Sequence, residues 1–302
     1  MCLAAQPRAL DIGADKAPLS PAARNELATA INIHDYAAER AVLEREIAAN
    51  PKSVDLRLLL GRIAYLERQP KDAADDLAKA DQMQPLSEPD RLTMAMGYQL
   101  SRRYEPARTE MLKLTKAAPK NAEYALLLAR IEKMSNRQDD ALAEFRRAIA
   151  LDPDMLKAYE ELGRALADKG SQDEARQVFE ESARRNRLRT TRSELPPMDL
   201  AMLLEKSGDA AGAEKLIRES LEYNAKFADA HYQLGIVLRI QKKDADAMAE
   251  FQQTVKLQPR YAPAWLALGQ LLDAQGRSAE AANALLTYKR LTDEGNKAAA
   301  KP

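Results

Sequence analysis

The chain has 302 residues, of which 46% are hydrophobic, 5% aromatic and 30% charged, and its 46 Lys and Arg residues balance its 46 Asp and Glu residues. This length exceeds what one compact core usually takes, and a net charge of zero gives no global attraction to nucleic acid or anionic lipid. A single cysteine, Cys2, excludes an intrachain disulfide and a multi-thiolate metal site, and two histidines, His34 and His231, exclude most zinc, haem and Ser-His-Asp chemistry.

Residues 1–19 contain two prolines and scattered charge, which predicts a flexible N-terminal segment. The opening MCLAAQ has two interpretations, the end of an export signal or an ordinary disordered start. Exported (periplasmic) and cytoplasmic locations are therefore both open. No apolar run approaches the ~20 residues that a membrane-spanning helix needs.

From residue 20 onward the sequence repeats itself with a period of 34 residues. Seven alanines mark the register at intervals of 34, 34, 34, 38, 34 and 34: Ala73, Ala107, Ala141, Ala175, Ala213, Ala247 and Ala281. Thirteen residues before each alanine stands a Leu or Met that is followed by Gly or Ala, and prolines close many units. Apolar residues spaced by three, four and seven predict two amphipathic helices per unit, and the small residues let their backbones approach closely.

The register predicts eight helix-turn-helix units, an insertion at 190–193 and a C-terminal tail at 296–302. The units are 20–53, 54–87, 88–121, 122–155, 156–189, 194–227, 228–261 and 262–295. The first unit is degenerate, because it carries Glu39 where Ala is expected. After Leu291 the remaining DEGNKAAAKP is predicted to be too short and too broken for an extra solvating helix.

The stretch ARRNRLRTTRSELPP, residues 183–197, spans the break in register. It contains five arginines: Arg184, Arg185, Arg187, Arg189 and Arg192. Arginines near a helix C-terminus complement its negative end, so the stretch predicts an extended helix end and a solvated junction. The alternative is a patch for an anionic or acidic partner, in which nucleic acid is a minor case because no aromatic side chain is interleaved for base stacking. The ELPP that follows is predicted to be a poor helix start.

These units resemble the tetratricopeptide repeat (TPR) family, whose signature is W-x2-L-G, then A-x3-F, then P. The segment from Trp265 to Gly269 matches the first part of that signature best, and Ala141, Phe145 and Pro153 match the rest. The resemblance implies an all-α fold, a right-handed α-solenoid superhelix of about eight 34-residue hairpins. It also implies a non-enzymatic protein-binding scaffold with no cofactor and no metal.

In such a solenoid the first helices of successive units line the concave face. Equivalent positions on them predict a partner-binding groove made of Arg62, Tyr65, Met96, Arg130, Lys133, Arg164, Met202, Tyr232, Ile236 and Arg239. Acidic residues three or four positions away predict local ion pairs for Arg164. Arg62 and Arg130 have no such neighbours, so we expect them to be available for an acidic peptide group. The alternative is that they are solvated or paired across units.

The expected function is therefore to hold a peptide or helix of a partner protein, with assembly of an envelope or secretion complex as the implied setting. Two alternatives remain: a substrate-docking module of a separate enzyme, such as a glycosyl transferase or protease, and anion or nucleic-acid binding through Arg184–Arg192. Self-association through the C-terminal repeat face is also open. The sequence leaves the partner's identity, the pathway and the oligomeric state undetermined.

Overall fold

The computed structural model describes residues 17–299, and the side chains of residues 17–296. These residues form sixteen α-helices and no strand, and they divide after Pro153 into two compact units. The first unit contains α1 (Pro21–Ile33), α2 (Tyr36–Ala49), α3 (Val54–Leu66), α4 (Pro70–Met83), α5 (Glu88–Leu100), α6 (Tyr104–Ala117), α7 (Ala122–Met134) and α8 (Gln138–Leu151). The second contains α9 (Leu156–Asp168), α10 (Gln172–Arg187), α11 (Leu195–Lys206), α12 (Ala210–Tyr223), α13 (Ala228–Ile240), α14 (Asp244–Leu257), α15 (Ala262–Ala274) and α16 (Ser278–Ala299). The predicted all-α solenoid class, built from helix-turn-helix repeats, is confirmed.

In the first unit, short polar side chains start the first helix of each hairpin. The side chains of Ser20, Ser53, Ser87 and Asn121 each accept a hydrogen bond from the backbone N–H three residues later. This is the N-cap arrangement, which satisfies one of the four N–H groups that a helix leaves without an intrahelical partner. These polar residues recur with nearly the same spacing as the alanines, so the caps set where each unit begins.

The two helices of a hairpin touch through a small residue on the first helix. A Cβ atom added to Gly163 would lie 2.4 Å from the ring of Phe179 on α10, and one added to Gly235 would lie 2.5 Å from the ring of Phe251 on α14. Only a residue without a side chain leaves room for a ring at this distance. The alternation of small and large residues in the sequence therefore fixes how closely the helices pack.

Each turn within a hairpin contains one residue in the left-handed backbone region. In the first unit these residues are His34, Arg68, Arg102 and Asn136, and in the second they are Gly170, Gly208, Lys242 and Gly276. The N–H group of the following residue returns to the helix; that of Arg103, for example, donates to the carbonyl of Tyr98 at 2.8 Å. This geometry closes the C-terminus of the first helix and normally favours glycine. The first unit uses larger side chains at all four positions.

The start of the chain differs from the prediction of a flexible segment over residues 1–19. Ala17 and Leu19 are buried in the core formed by α1, α2 and α3, and the backbone N–H and hydroxyl of Ser20 both donate to the carboxylate of Glu46. For residues 17–19 the prediction is therefore wrong, because their apolar side chains fill a place in this core. Residues 1–16, including MCLAAQ, lie outside the described residues.

The break in register consists of a longer helix followed by a closed loop. Helix α10 has 16 residues, and Asn186 in its last turn is fully buried. Its amide donates to the carbonyl of Ser193 at 2.7 Å and accepts from the N–H of Ser193 at 2.8 Å, which closes the loop. The expectation of a poor helix start at ELPP is wrong. Pro196 and Pro197 lie buried in the first turn of α11, where a missing N–H removes no intrahelical bond.

The C-terminal end of the described chain is also more regular than expected. Helix α16 continues into DEGNKAAAKP as far as Ala299, so within the described residues this segment prolongs the last repeat helix and forms no additional solvating helix. The carboxylate of Glu294 accepts hydrogen bonds from Arg290 at 2.8 Å and from Arg260 at 2.9 Å. These ion pairs and the good helix formers around Gly295 extend the helix beyond the repeat.

Candidate partner-binding sites

In the first unit, helices α3, α5 and α7 carry the predicted groove residues, and α3 is in direct contact with α5. The hydroxyl of Tyr65 on α3 lies 3.5 Å from the sulfur of Met96 on α5, so the structure brings these two predicted residues together. Arg62, Met96 and Arg130 occupy equivalent positions and are all partly exposed. They form a row along the first-helix face of this unit.

We expected the cations of this row to be available to a ligand, but they interact with other residues of the protein. Arg62 donates two hydrogen bonds to the carboxylate of Asp90, at 2.6 and 2.8 Å, and Asp90 is buried. Burial opposes ionisation of Asp90, but hydrogen bonds from Arg62 and from the Ser87 hydroxyl outweigh it and lower the pKa of this carboxyl below its usual value. The spacing within α3 gives Arg62 no acidic neighbour, as predicted, but pairing across hairpins, the alternative, is observed. Arg130 and Lys133 also interact within the chain.

In the second unit, Arg164 on α9 pairs with two carboxylates. It binds Glu160 of its own helix at 2.7 Å, the local ion pair that the spacing predicts, and Asp199 of α11 at 2.9 Å. Burial raises the pKa of Asp199 to about 6, although Arg164 acts in the opposite direction. Met202, one turn further along α11, keeps 38% of its surface exposed.

Helix α13 continues this face of the second unit with aromatic and apolar side chains. The ring of Tyr232 packs against those of Tyr261 and Phe251, with centroids 5.0 and 5.7 Å apart. Ile236 is partly exposed at the position equivalent to Met202, and Arg239 donates to the side-chain oxygen of Gln270 at 3.3 Å. At the equivalent positions the first unit carries two arginines and Met96, whereas the second carries Arg164 followed by the apolar Met202 and Ile236.

The arginine cluster at the end of α10 is largely neutralised by the protein itself. Glu181 accepts hydrogen bonds from both Arg184 and Arg185, at 2.6 to 2.7 Å. Arg187 makes two hydrogen bonds of 2.7 Å to the carboxylate of Glu219 on α12. Arg184 is thus paired within α10, whereas Arg187 joins α10 to α12, and Arg185 also reaches Asp154 before α9 at 3.2 Å.

The two remaining arginines of the cluster lie in the loop after α10. Arg189 donates to the backbone carbonyl of Asp154 at 3.3 Å, and the guanidinium of Arg192 lies over the ring of Tyr223, 5.7 Å from its centre. All five arginines thus contact groups of the same unit. These contacts favour the junction interpretation over an anion-binding patch.

Neither histidine lies in a constellation that resembles a catalytic or metal site. His231 contacts the carboxylate of Glu250 at 2.6 Å and the carbonyl of Ala225 at 3.2 Å, and His34 contacts Glu67 at 3.1 Å. Among the described residues no group of three or more His, Cys, Asp and Glu side chains is arranged to hold a metal. In the same part of the chain, no helix combines the length and the apolar character that crossing a membrane requires.

Sequence reasoning missed the acidic partners of the groove arginines. It tested spacings of three and four within one helix, whereas Asp90 and Asp199 lie 28 and 35 residues beyond their partners Arg62 and Arg164. A search for opposite charges about one repeat apart would have found such pairs.

Sixteen helices in hairpins among residues 17–299, with small residues at the contacts between helices, define a helical-repeat protein. The family model for the tetratricopeptide repeat matches residues 34–88, 92–155, 135–187, 198–262 and 245–296. The chain therefore belongs to the tetratricopeptide repeat family, which is generally a non-catalytic protein-interaction fold. No curated protein matches it.

Several solved structures are similar to the chain in fold. A tetratricopeptide-repeat protein of Cytophaga hutchinsonii, 14% identical, covers 76% of this chain and 93% of its own, with a TM-score of 0.62. PilF of Pseudomonas aeruginosa, 20% identical, covers 68% of this chain and 91% of its own, with a TM-score of 0.57. PilW, described as a widely conserved type IV pilus biogenesis factor, is 21% identical and covers 65% of this chain and 90% of its own, with a TM-score of 0.54.

Proposed function

We propose that the chain is a non-enzymatic scaffold that binds a peptide or helix of a partner protein on the first-helix faces of its hairpins. The observation that carries this proposal is the exposure of apolar side chains at equivalent first-helix positions: Met96 in the first unit, and Met202 and Ile236 in the second. Apolar residues that the protein's own core does not cover are suited to an apolar face of a partner.

The chemistry of these faces favours a ligand that is recognised mainly through apolar side chains. Methionine is flexible and polarisable, so Met96 and Met202 can adapt to partners of different shape. Arg62 and Arg164 beside them are already paired with carboxylates, so their remaining donors can orient a ligand but do not supply an unbalanced charge. We therefore expect a binding energy that depends weakly on salt.

The setting we propose is assembly of an envelope or secretion complex. What supports it is the similarity in fold to PilW, which is described as a pilus biogenesis factor. At 21% identity this similarity concerns the fold alone. The setting is tested by identifying the partner.

The experiment is affinity capture from extracts of the source organism, with partners identified by mass spectrometry. The variants Met96→Glu and Met202→Glu place a charge on the first-helix face of each unit. Leu188→Glu is the matched control, because Leu188 is 76% exposed in the loop after α10, away from these faces. Circular dichroism checks that each variant keeps its helices.

We expect a partner that the parent and Leu188→Glu capture and that at least one first-helix variant loses. The purified partner should then bind the parent directly, and bind the same variant more weakly. If both methionine variants capture the same proteins as the parent, the first-helix faces are not the binding site.

A further inference from the structure

A row of exposed apolar side chains lies at one edge of the first unit, where the first helices end. Leu66, Leu100 and Met134 are the last residues of α3, α5 and α7, and they are 41%, 61% and 46% exposed. They recur with the 34-residue period, so they occupy equivalent positions in three successive hairpins. Each lies at the turn into the second helix, beyond the groove residues described above.

Unpaired cations accompany this row. Arg68 and Arg102 follow Leu66 and Leu100 by two residues, and Lys71 lies at the start of α4. Within residues 17–299 none of these three side chains makes an ion pair or a hydrogen bond. The adjacent Arg103 behaves differently, because it pairs with Asp75 of α4 and stacks on the ring of Tyr98 at 4.6 Å. Of the two successive arginines, Arg103 therefore makes an ion pair within the chain and Arg102 does not.

The backbone gives a second reason to regard these arginines as functional. Arg68 and Arg102 adopt the left-handed conformation, with φ of 58° and 60°, which is unfavourable for a residue with a side chain. Three of the four equivalent positions in the second unit are glycine. In the first unit Arg68 and Arg102 are exposed, and no hydrogen bond or ion pair of their side chains within the described chain offsets the conformational cost. Contact with a partner would offset it.

The row is held in register by bonds between neighbouring hairpins. Arg103 connects the α5–α6 turn to Asp75 on α4, and Arg137 connects the α7–α8 turn to Glu105 on α6 at 3.1 Å. The amide of Gln99 also approaches the sulfur of Met134, at 3.6 Å. A surface fixed in this way loses little conformational freedom when it binds.

We propose that this turn edge, formed by Leu66, Arg68, Lys71, Leu100, Arg102 and Met134, docks an acidic segment of a partner protein that also presents apolar side chains. The occupant follows from complementarity: carboxylates match the three free cations, and apolar side chains cover the Leu-Leu-Met row. A nucleic acid would leave that row exposed, and three cations are sparse for a membrane surface. The site is distinct from the first-helix faces and stands independently of the proposed function.

The spacing of the row suggests the form of the segment. Side chains of successive first helices meet, since Tyr65 of α3 lies 3.5 Å from Met96 of α5 and Gln99 of α5 lies 3.6 Å from Met134 of α7, so members of the row are separated by roughly 10 Å. Residues seven apart in an α-helix are separated by about 10 Å along its axis. A helix with Leu at every seventh position and Glu flanking each Leu is therefore a suitable probe.

The test uses that probe as a fluorescently labelled peptide of three heptads, titrated with the full chain and followed by anisotropy. A peptide with Lys in place of Glu, and one with Ser in place of Leu, are the controls for charge and for apolar contact. We expect saturable binding of the acidic peptide, and at least about fivefold weaker binding of each control.

The test variant is the double substitution Arg68→Gly with Arg102→Gly. Its matched control is Lys242→Gly, which alters the same turn position in the second unit. Glycine removes the side chain and suits the left-handed backbone, so we expect both variants to melt at or above the temperature of the parent. The double variant should bind the acidic peptide about five- to tenfold more weakly. Lys242→Gly should bind it as the parent does.

Three results would overturn the proposal. The first is that the parent does not bind the acidic peptide, and the second is that the double glycine variant binds it as tightly as the parent. The third is a markedly lower melting temperature for that variant, which would show that the arginines have a structural role. Phosphatidylglycerol vesicles and single-stranded DNA are titrated in parallel. Tighter binding of either one than of the peptide, lost in the double variant, would assign the edge to that ligand instead.

Discussion

Glu39 on α2 gives the sharpest test of the packing in the first hairpin. It occupies the position that alanine fills in the other seven repeats, its side chain is fully buried, and neither carboxylate oxygen has a hydrogen-bond partner. The pKa of Glu39 is raised to about 7, chiefly by burial and also by the charges of Glu67 and Asp35, whereas His34 lowers it. These are the titratable groups that act on it from the neighbouring turns.

The direction in which stability changes with pH follows from the pKa of Glu39 in the folded and in the unfolded state. The folded state binds a proton at Glu39 with a pKa of about 7, and the unfolded chain does so with a pKa near 4.5. Between these values the folded state holds more protons, so its stability falls as the pH rises through this window and levels off above it. At about 1.4 kcal/mol per pKa unit, the loss reaches at most roughly 3 kcal/mol.

The perturbation is Glu39→Ala, which restores the alanine of the other repeats. At pH 8.5 we expect the variant to be more stable than the parent, because it removes a buried charge without a partner. At pH 5.5, where the parent carries a proton there, the difference should shrink or reverse. Since repeat hairpins can unfold separately, hydrogen exchange of α1 and α2 is measured together with thermal melting.

The matched control is Glu132→Ala. Glu132 is equally buried, but it accepts a 2.7 Å hydrogen bond from Arg108, so its removal should destabilise the chain at both pH values. A difference between Glu39→Ala and the parent that is the same at pH 5.5 and 8.5 would refute the reasoning. So would an Ala variant that is less stable at pH 8.5.

Two further predictions concern packing and the junction. Gly163→Ala should destabilise the chain by about 1–3 kcal/mol, because the added Cβ would meet the ring of Phe179. Gly295→Ala should stabilise α16 by about 0.5–1 kcal/mol, because the added Cβ there meets no atom. Thermal melts that rank these two variants the other way would contradict this. Asn186→Ala should destabilise the second unit by about 1–3 kcal/mol, because it leaves the N–H and the carbonyl of Ser193 without their hydrogen bonds. An unchanged rate of hydrogen exchange at the Ser193 amide would show that the loop closes without Asn186.

The fold could be predicted because its determinants are local and repeated. A glycine or alanine in the middle of each first helix, such as Gly163, and a large residue on the second, such as Phe179, specify one hairpin, and the 34-residue period copies it. Where the prediction failed, the cause was a contact that the period does not describe. Leu19 fills a gap in the first core, and Pro196 and Pro197 lie in a first turn that tolerates them.

The candidate site was less predictable, because it depends on which charges remain unbalanced after folding. Arg62 has no acidic residue within four positions in the sequence, yet Asp90 of the next hairpin binds it with two hydrogen bonds. The left-handed conformation of Arg102 is likewise absent from any sequence pattern, since the same turn holds glycine, lysine or asparagine elsewhere. Both facts arise from packing between hairpins.

The equal numbers of acidic and basic residues in this chain serve largely to form ion pairs within the fold. Ion pairs such as Arg103–Asp75 and Arg187–Glu219 join successive hairpins, so much of the charge stabilises the stack and is not available for recognition. A variant that removes Arg103 would disturb the register of the turns, whereas one that removes Arg102 leaves every described ion pair in place. A difference in partner binding between these two neighbouring arginines, measured at equal helical content, would separate the charges that build the protein from those that face a partner.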